Sequence, residues 1–271
     1  MAAPDQPMMV LTPRELRERI RAGLHTGTTA GFCPDYVQAN IVILPQAYAY
    51  DFLLFCQRNP KPCPLLDVSD TGSLHPPVWL AQDGADIRTD VPGYRIYKDG
   101  ELIEETSDIA AYWQEDFVTF YLGCSFSFEA ALQNSGLPVR HVEEGRNVSM
   151  HNTTIPCRSA GVFKDVNMVV SMRPYLPHQI SPVVQITSRY ERVHGAPIHI
   201  GDPAAIGIVD ASRPDYGDAP TLNEGELPLF WACGVTPQRA ILQAKPKGVC
   251  ITHKPGCMFV CDVKNESLTL V

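Results

Sequence analysis

Ile198-His199-Ile200-Gly201-Asp202-Pro203, Leu227-Pro228-Leu229-Phe230-Trp231-Ala232-Cys233-Gly234-Val235-Thr236-Pro237 and Val249-Cys250-Ile251-Thr252-His253 share one rhythm. A short apolar, β-branched or aromatic run stops at a tight turn. In the first two stretches a capping residue and a proline then open a helix. Strand, turn and helix in repetition predict an α/β fold with mixed sheets and flanking helices. Ligands of open α/β sheets bind beyond the carboxyl ends of strands, where helix N-termini offer unpaired N–H groups and positive partial charge. His199, Asp202, Thr236 and His253 fall at such ends and are candidate site residues; caps and turn residues would also explain the last three.

Thr12-Pro13-Arg14-Glu15 predicts a capping box opening a helix that ends near Gly23. Ile41 to Leu44 reads as a buried strand stopped by Pro45, and 46–57 as a helix carrying Phe52 and Phe55. Asp99-Gly100, between Tyr94–Lys98 and Glu101–Glu105, predicts a type I′ hairpin turn. Asp108 predicts the cap of a helix with Ile109, Trp113, Phe117 and Phe120 on one face, ended by Gly123. A second helix is expected from about Phe128 to Gly136. Val166 to Met172 reads as a strand ending at Arg173-Pro174. Residues 181–192 fit either a helix, from Ser181-Pro182, or a strand, from Val183, Val184, Ile186 and Thr187.

The chain has 271 residues, enough for one large domain or two coupled lobes. The lobes expected are 1–107 with 195–271, as three α/β layers, and 108–194, as a smaller α+β unit. A net charge of −8 argues against nucleic acid and anionic membranes as partners. No apolar run approaches the length of a membrane span. The start lacks the layout of a secretory signal, and Glu15 and Glu18 among the arginines argue against a mitochondrial presequence. A cytoplasmic protein is expected rather than one of the mitochondrial matrix, with room for a homo-oligomer. Nine cysteines, odd in number and without C-x-x-C, predict reduced thiols and no zinc site.

Gly123-Cys124-Ser125-Phe126-Ser127-Phe128-Glu129 is a second candidate site. Cys124, before a helix start, has the position of an activated nucleophile. Ser125 and Ser127 suit helix capping or a substrate oxygen, and Glu129 suits the helix dipole. Arg173 reads either as a fork for a substrate carboxylate or as half of a buried salt bridge. Asp86-Ile87-Arg88-Thr89-Asp90 is either an ion-paired turn or a pocket wall holding Arg88. The loop from Thr26 to Gly31 lacks the lysine and spacing of a phosphate-binding loop, which leaves Thr26 as a candidate contact for a small anion only.

Longer ordered motifs resemble a bacterial hydro-lyase family. They include Arg21-Ala22-Gly23-Leu24-His25-Thr26-Gly27, Phe55-Cys56-Gln57-Arg58-Asn59-Pro60, the 85–90 and 123–129 stretches, and Ser171-Met172-Arg173-Pro174. His194 to Pro203, Pro214 to Ala219, Phe230 to Pro237 and Ile251 to Gly256 continue the match, which spans about 14–262. The family is similar to the N-terminal part of animal mitochondrial D-glutamate cyclase, a larger protein with a further C-terminal domain. The resemblance implies conversion of D-glutamate to 5-oxo-D-proline with loss of water. The family's Gly-Pro-Thr-Ala-Gly-Phe-Ala-Pro-Gly-Tyr run stands here as Gly27-Thr28-Thr29-Ala30-Gly31-Phe32-Cys33-Pro34-Asp35-Tyr36, so Thr28, Cys33 and Asp35 add polarity.

Such a ring closure needs a base at the amine, donors for an oxyanion and an acid for the departing oxygen, but neither metal nor redox cofactor. The expected roles are His199 as acid or base tuned by Asp202, Arg173 on the α-carboxylate, and Ser125 and Ser127 at the oxyanion. The substrate expected is a small carboxylate. Rival readings are a hydratase or dehydratase of another organic acid, a non-catalytic carboxylate sensor, and a metal-dependent hydrolase.

Overall fold

The computed structural model describes residues 11–82 and 84–269. The first helix, α1 (Pro13–Arg21), has the predicted capping box: Glu15 N–H donates to Thr12 Oγ1 at 3.3 Å and Thr12 N–H donates to Glu15 Oε2 at 2.8 Å. The chain then forms β1 (Tyr36–Pro45), α2 (Gln46–Arg58), β2 (Leu65–Val68), β3 (Tyr94–Lys98), β4 (Glu101–Thr106) and β5 (Phe117–Gly123). The Asp99-Gly100 turn joins β3 to β4 with both residues at positive φ, 52° and 81°, as a type I′ turn requires. Next come α3 (Phe126–Asn134), α4 (Arg140–Glu143), β6 (Ser149–Pro156), β7 (Asn167–Tyr175), α5 (Pro177–Ser188), β8 (His199–Ile200) and β9 (Leu227–Ala232). The last elements are α6 (Thr236–Ala244), β10 (Val249–His253) and β11 (Phe259–Lys264). No helix among the described residues is long and apolar enough to cross a membrane.

Two sheets organise these elements. The larger has the order β2-β5-β1-β10-β3-β4, with β11 also pairing β1; the smaller has the order β6-β7-β9-β8. The fold is therefore mixed α/β, but every strand pair is antiparallel. Strand ends consequently point both ways, and the common carboxyl edge expected to hold the site does not form. Strand membership also crosses the expected lobe boundary. Strand β5, within 108–194, sits between β2 and β1, whereas β8 and β9, within 195–271, complete the smaller sheet.

The helix expected over 108–123 is instead a short 3-10 turn, Ala110–Tyr112, followed by β5. Phe117 and Tyr121 enter one core, while Val118, Phe120 and Leu122 enter another on the opposite face. A strand buried on both faces reads as a continuous apolar run, and its aromatic residues happen to fall at helical spacing. The ambiguous 181–192 segment is mostly helix, and α5 contains Pro182.

One core joins the sheets. It contains Ile41 and Ile43 of β1, Tyr121 of β5, Phe128 and Leu132 of α3, and Tyr175 and Trp231 of the smaller sheet. The other face of the larger sheet is covered by α2 and α6, where Phe52 meets Phe120 edge-on at 4.8 Å. Two glycines allow close approach. A Cβ on Gly123 would lie 2.1 Å from Arg192 O, and one on Gly234 would lie 2.0 Å from Asn40 Nδ2. Phe120→Ala would remove a fully buried ring from a strand packed on both sides. We expect a loss of about 3–5 kcal/mol in urea unfolding with an unchanged m-value.

Candidate active site

The end of β5 turns directly into α3, which brings Ser125 and Glu129 over β7. Successive β7 side chains alternate faces, so Ser171 and Arg173 both point into the shared core. Arg173 and Glu129 are only 1% and 3% exposed. The guanidinium donates to Glu129 Oε1 from Nε at 3.1 Å and also from Nη2. Its Nη1 donates to Ser171 Oγ at 3.1 Å, and Nη2 to Ser125 Oγ at 3.0 Å. Phe128 and Trp231 flank the cation, each ring centre 5.3 Å from Cζ. Of the two readings open for Arg173, the structure has the buried salt bridge.

His141, from α4, reaches the same carboxylate, with Nε2 3.0 Å from Glu129 Oε1. The contact is close but not aligned as a hydrogen bond. Burial alone would raise the Glu129 carboxyl, but His141 and Arg173 outweigh it and hold the group below its ordinary range. His141 also lines a narrow cleft, which opens where β6 begins and β7 ends. Arg140, Arg146, Asn147 and Ser149 share that lining, with residues 218–221 opposite. Arg140 is held by two 2.6 Å bonds to Glu226, whereas Arg146 has a looser 3.3 Å contact with Glu144. Ser149 Oγ and Asn147 Oδ1 are buried and meet no hydrogen-bond partner among the described residues. The arginines of such a cleft suit an anionic group, and its unpaired oxygens suit a hydrogen-bond donor on the same ligand.

The other predicted residues are placed differently. Through the paired register, His199 shares a face with Phe230 and Met172, and Arg173 lies on the other face. His199 Nε2 lies 2.7 Å from the backbone oxygen of Asp202, and the Asp202 carboxylate is used to cap Ala204 N–H at 2.9 Å. The expected approach of His199 and Arg173 to one ligand is therefore not met, because neighbouring β7 positions face opposite ways. Thr236 is not the cap of α6; Val235 is. The Thr236 hydroxyl accepts from Val169 N–H at 3.0 Å and contacts Cys233 O at 2.7 Å, tying the helix start to β7. Cys124 and Cys233 share an apolar cluster. Burial pushes the Cys124 thiol far up and that of Cys233 to about 11, against an activated nucleophile. Ser125 is the N-cap residue of α3, but its side chain makes no capping hydrogen bond, and Ser127 lies inside the helix. Ser127 Oγ accepts from Gln38 N–H at 3.0 Å.

Arg88 is spent on Asp86, with Nη2 to Oδ2 at 2.7 Å, as in an ion-paired turn. Thr26 is exposed on its loop. His253 is buried, and its Nδ1 accepts from Ile41 N–H at 3.1 Å, at the break between β10 and β11. The reading from sequence gives no site role to His141, Asn147 or Ser149 and gives Glu129 only a helix-dipole role. The dense polar run Arg140-His141-Val142-Glu143-Glu144-Gly145-Arg146-Asn147 is the signal that could have found them.

The candidate site is thus a buried ionised cluster in a two-sheet α/β chain, joined through His141 to a cleft whose lining carries both arginines and carboxylates. The comparisons place the chain more narrowly. A family model described as D-glutamate cyclase matches residues 118–262, which include all of β5 but Phe117, α3, the cleft and Arg173. A relative from Stutzerimonas stutzeri strain A1501, provisionally named a hydro-lyase, is 56% identical over 96% of this chain and 97% of its own length. The similarly named YcsI of Bacillus subtilis strain 168 is 54% identical over 96% of this chain and all of its own. A third, from Mycolicibacterium gilvum, is 54% identical over 96% of this chain and 97% of its own. The chain belongs to the D-glutamate cyclase family, and its enzyme class is that of the hydro-lyases.

Two outcomes follow for stability. Arg173→Met leaves the Glu129 carboxylate unpaired in the core and should cost roughly 3–5 kcal/mol in urea unfolding. Arg173→Met with Glu129→Leu should recover part of that loss. Burial lowers both His194 and His253 from 6.5 to about 4. Between those values the unfolded chain takes up protons that the folded chain refuses, so stability falls as pH falls from about 6.5 to 4. His194→Asn, which suits the left-handed φ of 86° there, should flatten that slope in urea titrations at a series of pH values.

Proposed function

We propose that this protein converts D-glutamate to 5-oxo-D-proline and water, with the substrate seated in the cleft between α4, the start of β6 and residues 218–221. The carrying observation is the pairing of unsatisfied buried oxygens, Ser149 Oγ and Asn147 Oδ1, with the arginines of the same cleft. D-glutamate has the complementary groups: two carboxylates for cationic donors and an ammonium for an acceptor such as Asn147 Oδ1. Family membership supports the cyclisation. Arg146 takes the role first expected of Arg173, because Arg173 is already committed to Glu129 whereas Arg146 is half exposed at the cleft.

Ring closure is chiefly a problem of entropy, since the extended γ-carboxyl must be brought back onto the amine. Holding one carboxylate at Arg146 while the acceptors orient the ammonium leaves only the chain between them to fold. The cleft is narrow, so entry of a glutamate requires the side formed by 218–221 to move outward. That side is tied to the segment just after α4 by surface contacts, including Arg146 Nη1 to Ala219 O at 3.2 Å and Thr221 Oγ1 to Glu144 Oε2 at 3.0 Å.

The test is incubation of the purified full chain with D-glutamate, L-glutamate and a set of unsaturated and hydroxy acids. Mass spectrometry reads the loss or gain of water, and proton NMR reads the ring. D-glutamate should lose one water and give the cyclic product. Arg146→Gln should raise KM by about 10–100-fold with little change in kcat, as expected for lost charged hydrogen bonding that is equal in ground and transition states. Turnover of a hydroxy or unsaturated acid but not of D-glutamate would transfer the assignment to a hydratase. Saturable binding without turnover of any of them would indicate a sensor.

A further inference from the structure

The described histidines differ sharply in setting. His194 is 1% exposed with Nδ1 2.7 Å from Lys61 O, and His253 is bound to the β1 backbone. His199 lies on the opposite face of the smaller sheet from the ion pair. His75 lines a different cleft and bonds to Ala85 O at 2.9 Å. Among the described residues, His141 is the one histidine within ion-pair distance of a carboxylate, and it lines the cleft as well.

We propose that His141 is the catalytic acid–base of this cleft, with Glu129 and Arg173 as the positioning residues that orient it. The proposal rests on the placement of substrate in the same cleft. The geometry sets a buried carboxylate 3.0 Å from the imidazole Nε2, where its charge holds the ring's position and stabilises its cation without an aligned hydrogen bond. Here the carboxylate is itself immobilised by Arg173, and Arg173 by Ser125 and Ser171. Phe126 lies against the imidazole, with ring centres 6.0 Å apart. Nε2 faces Glu129, which leaves Nδ1 as the atom to meet substrate. The charged groups around His141 are Glu129 from α3, Arg173 from β7, Arg140 on its own helix, Glu144 and Arg146 just beyond it, and Asp218 across the cleft.

The proton balance closes without a co-reactant. Neutral His141 takes one proton from the substrate ammonium, and the freed nitrogen lone pair bonds to the γ-carboxyl carbon. The imidazolium returns that proton to an oxygen of the tetrahedral intermediate. A second proton leaves the nitrogen by the same route, the C–O bond breaks, and the oxygen departs as water with both protons. The lactam nitrogen keeps one hydrogen, and His141 ends neutral.

The test compares the full-length wild type with His141→Gln and Glu129→Gln, each checked for native circular dichroism. With D-glutamate, His141→Gln should lose roughly 10²–10⁴-fold in kcat while KM stays within about threefold. Glu129→Gln should move the acid limb of kcat/KM to lower pH by at least about one unit, because the imidazolium loses its anionic partner. A merely structural Glu129 would lower the rate without moving that limb, and this result overturns its positioning role. If Glu129→Gln does not fold, Glu129→Asp draws the carboxylate back from the imidazole and should move the limb the same way by a smaller amount. Retention of kcat by His141→Gln overturns the acid–base assignment while leaving the D-glutamate reading intact.

If the wild type does not turn over D-glutamate, the substrate reading fails and the histidine is judged by binding alone. Nitrogen-15 NMR of the His141 ring with added glutarate is then the measurement. A shift at Nδ1 that is absent in Arg146→Gln supports the site, and an unmoved resonance overturns it.

Discussion

The ion pair between Arg173 and Glu129 sets the terms for everything around it. It lies inside the core that the two sheets share, so neither charge has water to fall back on. Desolvating two ions costs several kcal/mol each, and only good geometry with further hydrogen bonds offsets this. Ser125 and Ser171 supply those bonds from one side, and the faces of Phe128 and Trp231 accept the cation from the other. A pair so enclosed fixes the turn after β5 and the orientation of α3 relative to β7. It thus acts less as a source of stability than as a register between the sheets.

Backbone proximity makes that register attainable. Gly123 ends β5 with Arg192 O where a side chain would stand, and Gly234 gives way to the Asn40 side chain. Asn40 in turn donates to Gly123 O at 2.8 Å. Two strand-to-helix turns are thereby drawn against β1, and their cysteines become buried packing atoms. The cleft lies at the open edge of the smaller sheet, where polar groups escape the core but still reach its ionised centre through His141. Chemistry placed there can draw on a rigid interior while admitting ligand from outside, an arrangement that favours preorganised electrostatics.

Local elements are largely legible in the order of the residues. The capping box of α1 and the Asp99-Gly100 hairpin depend on interactions among residues near in sequence, and α2 and β9 show in their local pattern although distant strands complete them. The failure at 108–123 has a physical cause: β5 is covered on both faces, and its apolar residues carry no alternation to betray a strand. Within the site, Arg173, Ser125 and Ser127 stand out by their motifs, but only Ser125 contacts Arg173. His199 stands out by its place at a strand end, and that strand presents it to the opposite face.

Composition class, family, most short-range elements and the motif around Cys124 and Glu129 follow from the amino-acid sequence. Each of these is encoded by neighbours within a few positions or by long ordered matches. Which residues meet is a property of the folded chain. The antiparallel pairing removes the expected common edge, strand alternation puts His199 and Arg173 on opposite faces, and chain return brings His141 against Glu129. Contacts of that kind depend on register and burial, which no local pattern of residues records.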